Sequence, residues 1–380
     1  MSNKVIVIVI VAILIASGIG IVAFSGVFND NEDYKITIVD GSGKTIKLKE
    51  PLTKIVTGNT NIPKVCNILG LNDKVSGLSF YSASSDSSNW GKFNQLFPNA
   101  KHMTPEKTLT AEEILPVAEA IIVPVASMTI SSAQEKSYSE MGITVIRLDC
   151  YGESMKDDME KMTKLFGDDE TAVSKNNEYW ENYNNVKDTV INKVKEAGGF
   201  NNLRFLYFYS GLNAFYNQTS ASSDLMESIA GKNAMREIEN LDTTTVSNKA
   251  DQLGLKEKII QLDDSKPIDY LFIRGSGDTV NVSAAETLYK GSVFMDAYKD
   301  LSAIGTNKNY MINSEMMSGG LSYMAYIIVA EILGVDTGYN TTKMIEQFNA
   351  KYNFNEPTSG IAYHIEVTGS TVTATELSFT

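Results

Sequence analysis

The side chains best suited to chemistry fall in short stretches that directly follow strand-like runs. In an open parallel sheet, the loops beyond the carboxyl ends of the strands form the binding crevice. One group comprises Gly58-Asn59-Thr60-Asn61, Phe80-Tyr81-Ser82 onward to Trp90, Val125-Ala126-Ser127-Met128 and Cys150-Tyr151-Gly152. The other comprises Ser210-Gly211-Leu212-Asn213 to Tyr216, Arg274 with Gly275-Ser276-Gly277-Asp278, and Ser314-Glu315-Met316-Met317-Ser318-Gly319-Gly320. Tyr, Trp, Met, Ser, Asn and Gly dominate. Ring faces and hydroxyls of this kind suit a sizeable, partly aromatic or chelated ligand. They do not suit a free metal ion, which requires clustered carboxylates or imidazoles. The candidate ligand-binding residues are Asn59, Thr60, Tyr81, Trp90, Tyr151, Tyr209, Tyr216, Arg274 and Met317. Each aromatic also has a packing alternative: Tyr209 as core, Trp90 as the pin of a long loop.

Catalytic readings find less support. Two His and two Cys in 380 residues exclude a zinc ribbon, a His-rich metal site and a disulfide scaffold. Pairing Cys150 with His102 as nucleophile and base has no spacing to support it. Arg274-Gly-Ser-Gly-Asp278 is an incomplete nucleophile elbow with only His364 after it. Gly41-Ser-Gly-Lys44 lacks the spacing of a phosphate loop and reads as a turn. The pairs Glu112-Glu113 and Asp168-Asp169 sit at helix starts, where the helix dipole accounts for them. With 33 Lys plus Arg against 46 Asp plus Glu, the net charge of −13 repels phosphate backbones and argues against nucleic acid as a partner.

The elements that must hold these loops follow from periodicity. Tyr34 to Leu48 reads as a hairpin around Asp40-Gly-Ser-Gly. Short apolar strands then alternate with helical stretches: Lys54 to Gly58, a helix from Pro63 to Gly70, Val75 to Ser79, a Ser-rich loop, Thr110 to Val117, Ala120 to Pro124, Ser132 to Met141, and Thr144 to Asp149. That alternation predicts a mainly parallel sheet covered by helices. From Asp168, a suitable N-cap, to Ala197, apolar residues fall at Val173, Trp180, Tyr183, Val186, Val190 and Val194, and Gly198-Gly199 stops the run. A helix of about thirty residues reaches roughly 45 Å, more than a crossover requires, and so reads as a strut between two lobes. Beyond it come the strand Arg204 to Tyr209, a helix from Asp224 to Ala230, a weakly patterned stretch to Leu255, strands Ile268 to Arg274 and Asn309 to Asn313, and helices Leu321 to Leu333 and Lys343 to Tyr352. An alternating tail, Ile361 to Phe379, reads as an added hairpin. The fold class is thus α/β, with two open parallel-sheet lobes joined by one long α-helix. The divisions are 1–28 N-terminal helix, 29–166 first lobe, 167–198 strut, 199–355 second lobe and 356–380 tail.

Val5 to Phe28 contains only apolar residues, Gly and Ser, with Lys4 before it and Asn29-Asp-Asn-Glu-Asp33 after it. At this length it is either an uncleaved transmembrane anchor or a long cleaved signal. The charge asymmetry places the body outside the cytoplasm in both cases. Cys66 and Cys150 then face an oxidising space, where they are either a bridge or two buried thiols. Asn217, Asn281 and Asn340 head glycosylation triplets that matter only in a host that glycosylates.

Five segments in order resemble the substrate-binding proteins of ABC importers for ferric siderophores, haem and cobalamin. They are Ile36 to Leu48 with Lys54-Ile-Val, Asn67-Ile-Leu-Gly-Leu-Asn-Asp-Lys-Val-Ser-Gly-Leu78, Thr110-Ala-Glu-Glu-Ile-Leu-Pro-Val-Ala-Glu-Ala-Ile-Ile-Val123, Asp224-Leu-Met-Glu-Ser-Ile-Ala-Gly-Lys-Asn-Ala234, and Ala303 to Tyr310. The resemblance spans about Tyr34 to Tyr352. It implies a binding protein with no catalytic activity and no resident cofactor. Its expected ligand is an iron chelate, haem or corrinoid, and its expected partners are a membrane permease and its ATPase. It implies a monomer, and docking acids at Glu112 and at Glu227 or Asp224. The family's usual Pro-Asp is replaced here by Glu119-Ala120, and no Cys follows the apolar segment to carry a lipid. The rival functions are a surface sensory or adhesion protein on the same fold, and an exported hydrolase using Cys150 or Ser276.

Overall fold

The computed structural model describes residues 33–80, 88–125, 130–210, 214–216, 221–239, 247–249, 254–275, 281–290, 298–317 and 319–379. β1 (Ile36–Val39) and β2 (Thr45–Leu48) form the expected antiparallel hairpin. The Asp40 carboxylate accepts hydrogen bonds from the N–H groups of Ser42 and Lys44, so the turn is held by its own first residue. Its other oxygen takes the N–H of Arg147, which fastens the hairpin to the edge of the first sheet.

The first lobe continues through β3 (Ile55–Gly58), α1 (Asn61–Leu69), β4 (Val75–Ser79), α2 (Ser88–Leu96), β5 (Lys101–His102), α3 (Ala111–Ile114), β6 (Ala120–Val123), α4 (Ser132–Glu140), β7 (Thr144–Arg147) and α5 (Met155–Leu165). Its five strands are parallel, in the order β5-β4-β3-β6-β7. Alternate residues feed opposite faces. Ile55, Ala120, Ile122 and Ile146 pack toward α1 and α5, while Val56, Ile121, Val123 and Val145 pack with Ile114 and Tyr138. Helix α5 was not expected. Its buried stripe of Met155, Met159, Met162 and Leu165 has helical spacing but is diluted by Lys, Asp and Glu.

The strut is α6 (Glu170–Glu196), 27 residues and about 40 Å long. Its N-cap is Asp169, whose carboxylate accepts the N–H groups of Thr171 and Ala172. The expected cap, Asp168, instead makes the preceding turn with φ 52°. Gly198 and Gly199, both at positive φ, close the other end. The buried face is Ala172, Asn176, Tyr179, Val186, Val190 and Val194. In the first half it is therefore offset by one residue from the expected Val173 and Trp180. Tyr179 takes the buried place, while Trp180 and Tyr183 pack on its shoulders with ring centroids 5.3 and 6.3 Å away.

The second lobe contains β8 (Arg204–Ser210), β9 (Ala214–Tyr216), α7 (Ala221–Ala230), β10 (Lys232–Asn233), β11 (Ser247–Lys249), α8 (Leu255–Ser265), β12 (Tyr270–Gly275), α9 (Val282–Lys290), α10 (Ser302–Gly305) and β13 (Asn309–Asn313). It ends with α11 (Ser314–Met317), α12 (Tyr323–Ile332), α13 (Thr341–Tyr352), β14 (Ala362–Thr368) and β15 (Thr371–Glu376). The sheet order is β11-β9-β8-β12-β13-β14-β15, with β10 beside β8. Only the centre, β8-β12-β13 with β10, is parallel, and antiparallel strands flank it on both sides. The tail hairpin extends this sheet, since β14 pairs with β13 in the register Asn309↔Ile365. Helix α9 packs against β15: Ala285 and Tyr289 share an apolar cluster with Val372, and the Glu286 carboxylate, paired with Lys290 at 2.8 Å, accepts the N–H of Ala374.

One apolar cluster joins the lobes. It runs from the inner face of the first sheet through α6 to α12, whose residues Tyr323 to Ala330 are all buried, and on to Phe205, Tyr207 and Phe272 of the second sheet. Among the described residues no helix is long and apolar enough to cross a membrane; the segment Val5 to Phe28 lies outside them. Replacing Asp169 with Ala removes the acceptor for two strut N–H groups. The expected cost is about 1 kcal/mol, read as a lower urea midpoint at unchanged slope.

Candidate functional site

The carboxyl end of β3 shows how a site loop is shaped. Asn59 is left-handed, with φ 52°. Its N–H donates to the Glu106 carboxylate at 2.7 Å, and its own amide oxygen accepts the N–H groups of Asn61 and Ile62, capping α1. Glu106 is only 3% exposed. A Cβ on Gly58 would lie 2.5 Å from Glu106 Oε1, so the loop needs Gly there for the carboxylate to reach it. Glu106 was absent from the sequence shortlist. Asn59 is thus a loop-shaping residue whose oxygen is used by its own helix, and Thr60 beside it is half-buried.

At the next strand end, Phe80 is buried and packs on Phe93, with ring centroids 5.3 Å apart. Tyr81 lies outside the described residues, as do residues 126–129 after β6, and Trp90 is placed in the first turn of α2 by its backbone. At the end of β7, Cys150 is left-handed, with φ 55°. The Asp158 carboxylate holds this turn through the N–H groups of Asp149 and Cys150 and the hydroxyl of Ser154. Burial, with Asp158 nearby, pushes the Asp149 carboxyl up. Tyr151 follows with 36% exposure.

In the second lobe, Tyr209 is the penultimate residue of β8, and Tyr216 lies on the antiparallel strand β9 instead of in the expected loop. Residues 211–213 and 276–280 lie outside the described set, which removes Ser276 from view. Arg274 is half-buried at the end of β12. Met317 is 4% exposed within the central cluster, so its place is core rather than open lining. After it, Gly319 at φ 65° and Gly320 bring the chain against α1: a Cβ at Gly320 would meet Ile68 Cδ1 at 2.7 Å. The stretch after Met317 therefore packs against α1 just beyond Asn59–Thr60, where a Cβ at Gly319 would lie 3.2 Å from Asn61 Oδ1. Tyr151 stands apart, beyond the edge strand β7.

The proposed docking acids differ in state. Glu112 is exposed in the first turn of α3, beside a capping box formed by Thr110 and Glu113. Glu227 accepts the N–H of Asn233 and pairs with Arg236 at 2.6 Å, and Asp224 pairs with the same guanidinium. Both second-lobe candidates are thus engaged within the chain.

The hydrolase reading meets the sheet order directly. His102 is on β5 and Cys150 follows β7, the opposite edges of the first sheet. Four strand intervals separate them, about 19 Å. Cys66 and Cys150 are free and buried. Burial pushes the Cys66 thiol up to about 12 and that of Cys150 well above its ordinary value, the reverse of an activated nucleophile. Among the described residues no group of three His, Cys, Asp or Glu side chains is arranged to hold a metal ion. Neither thiol should react with iodoacetamide at pH 8 until the protein is unfolded in urea, and stoichiometric native labelling would contradict this burial. Glu106→Ala should speed hydrogen exchange at Asn59 and cost about 2 kcal/mol through the lost charged acceptor.

No family model and no curated protein sequence matches the chain. Solved structures do match its fold. The TroA-like periplasmic binding protein FepB from Veillonella parvula is 17% identical, with a TM-score of 0.60 over 85% of this chain and 97% of that one. Helicobacter pylori CeuE with Ni(II) bound is 14% identical, with a TM-score of 0.58 over 85% and 98%. Staphylococcus aureus SirA complexed with staphyloferrin B is 16% identical, with a TM-score of 0.55 over 79% and 99%. The chain has the fold of TroA-like periplasmic binding proteins, the fold that the ordered sequence segments imply.

Proposed function

We propose that this chain is an extracytoplasmic solute-binding protein of an ABC importer. It captures an iron chelate, haem or a cobalamin-like corrinoid between its lobes and delivers it to a membrane permease served by an ATPase. The observation that carries this reading is the fold match over 85% and 79% of this chain to nearly the full length of chains solved with Ni(II) and with staphyloferrin B. The aromatic and hydroxyl character of the strand-end loops agrees with it.

In this reading Tyr151, Tyr81, Trp90, Tyr209 and Tyr216 offer ring faces to the ligand, and Arg274 offers a charge. Asn59 and Thr60 shape the first-lobe wall, and Met317 supports the second from behind. Glu112 is the first-lobe contact for permease arginines. On the second lobe Arg236 holds Glu227 and Asp224, so docking there exchanges one guanidinium for another. The apolar N-terminal segment tethers the protein at the outer membrane surface, or is removed as a signal.

Titration of the full chain in detergent with a neutral ferric trihydroxamate, a ferric tris-catecholate, haem and a cobalamin tests the reading. Intrinsic fluorescence from Trp90 and Trp180 reports binding. At least one member is expected to give a saturable response at micromolar concentration or below. Tyr151→Ala should then weaken that response about tenfold, the loss of one stacked ring. Silence from every member would overturn the proposal.

A further inference from the structure

Helix α1 of the first lobe sends two polar side chains into the second, one turn apart on the same helix. Lys64 Nζ pairs with the carboxylates of Glu315, on α11, and of Glu356, in the connection between α13 and β14, the latter at 2.9 Å. Asn67 Nδ2 donates to the carbonyl of Tyr352 at 2.6 Å. The side chains of Lys64 and Glu356 are 13% and 2% exposed. Burial alone would lower the Lys64 pKa, but Glu315 and Glu356 outweigh it and hold the ammonium charged above its ordinary range. Glu356 is itself set in place by Asn349, whose side chain bonds both its N–H and its carbonyl, at 2.9 and 2.8 Å.

The strut by contrast is joined to each lobe through left-handed residues, Gly167 and Asp168 at one end and Gly198 and Gly199 at the other. A rod with such joints fixes the distance between two bodies better than their angle. The packing along α6 and α12 is chiefly apolar, with one buried bond from the Tyr179 hydroxyl to the Gly320 carbonyl, and it permits small sliding. A buried, hydrogen-bonded charge cluster is directional, and breaking it leaves uncompensated charge out of water.

We propose that Lys64, Glu315 and Glu356 form an interlobe lock that sets the angle between the lobes, with α6 acting as spacer. The lock goes beyond the binding reading and does not depend on any ligand. With it closed, the lobes move as one body, and adaptation to a bound molecule falls to the strand-end loops.

Spin labels on Glu140→Cys of α4 and Asp264→Cys of α8, both exposed positions, report the interlobe distance in the full chain in detergent. The buried native thiols stay unlabelled. The parent should give one narrow distance distribution. Lys64→Met, and the charge-neutral Lys64→Met/Glu315→Gln/Glu356→Gln, should both broaden it at least twofold, while Lys64→Arg keeps it narrow. The neutral triple variant leaves no buried charge unpaired, so it is read alone if Lys64→Met loses its cooperative melt. A parent-like width in the folded triple variant would overturn the lock and return control of the angle to the strut.

Discussion

Tyr179, Val186, Val190 and Val194 of the strut are buried in an apolar cluster that draws on both sheets at once. The Tyr179 hydroxyl donates across the seam to the carbonyl of Gly320. The rest of the architecture depends on this shared burial. A parallel sheet needs cover on both faces, and each lobe supplies its own outer layer. The inner layer is held in common by α6, α1, α5 and α12. Neither sheet closes its core without elements that also serve the other.

Within that frame the site loops are shaped by buried acids. Glu106 holds Asn59 from behind, and Asp158 holds Asp149 and Cys150. In both places a carboxylate accepts N–H groups of a strand-end turn that contains a left-handed residue. Such bonds fix the backbone of the turn from which Tyr151 follows.

Local signals were the legible part. Asp40-Gly-Ser-Gly announced its hairpin because the turn is satisfied by neighbours in sequence. The strut announced itself by length and by its glycine stop. Its buried face was harder to read, because Val173 and Trp180 fit the apolar rhythm as well as Ala172 and Tyr179 do. Tyr179 is held by partners far along the chain, the Gly320 carbonyl and the Tyr323 ring. Glu106 and Lys64 were illegible for the same reason: their partners lie 47 and 251 residues away. Met317 read as lining because it follows a strand, yet it points into the shared core. The antiparallel flanks of the second sheet were missed at β9, a strand of three residues paired back onto β8.

The pairing of β14 with β13 also dictates an order of events. A chain synthesised from its N-terminus contains β13 before the residues that cover its free edge. Until the final stretch arrives, that edge presents unpaired N–H and C=O groups to any neighbouring strand, the condition under which nascent sheets associate wrongly. The arrival of residues 362–376 seals β13 with β14 and places β15 under the Glu286 carboxylate of α9. The second sheet is therefore complete only once residues 362–376 are in place beside β13.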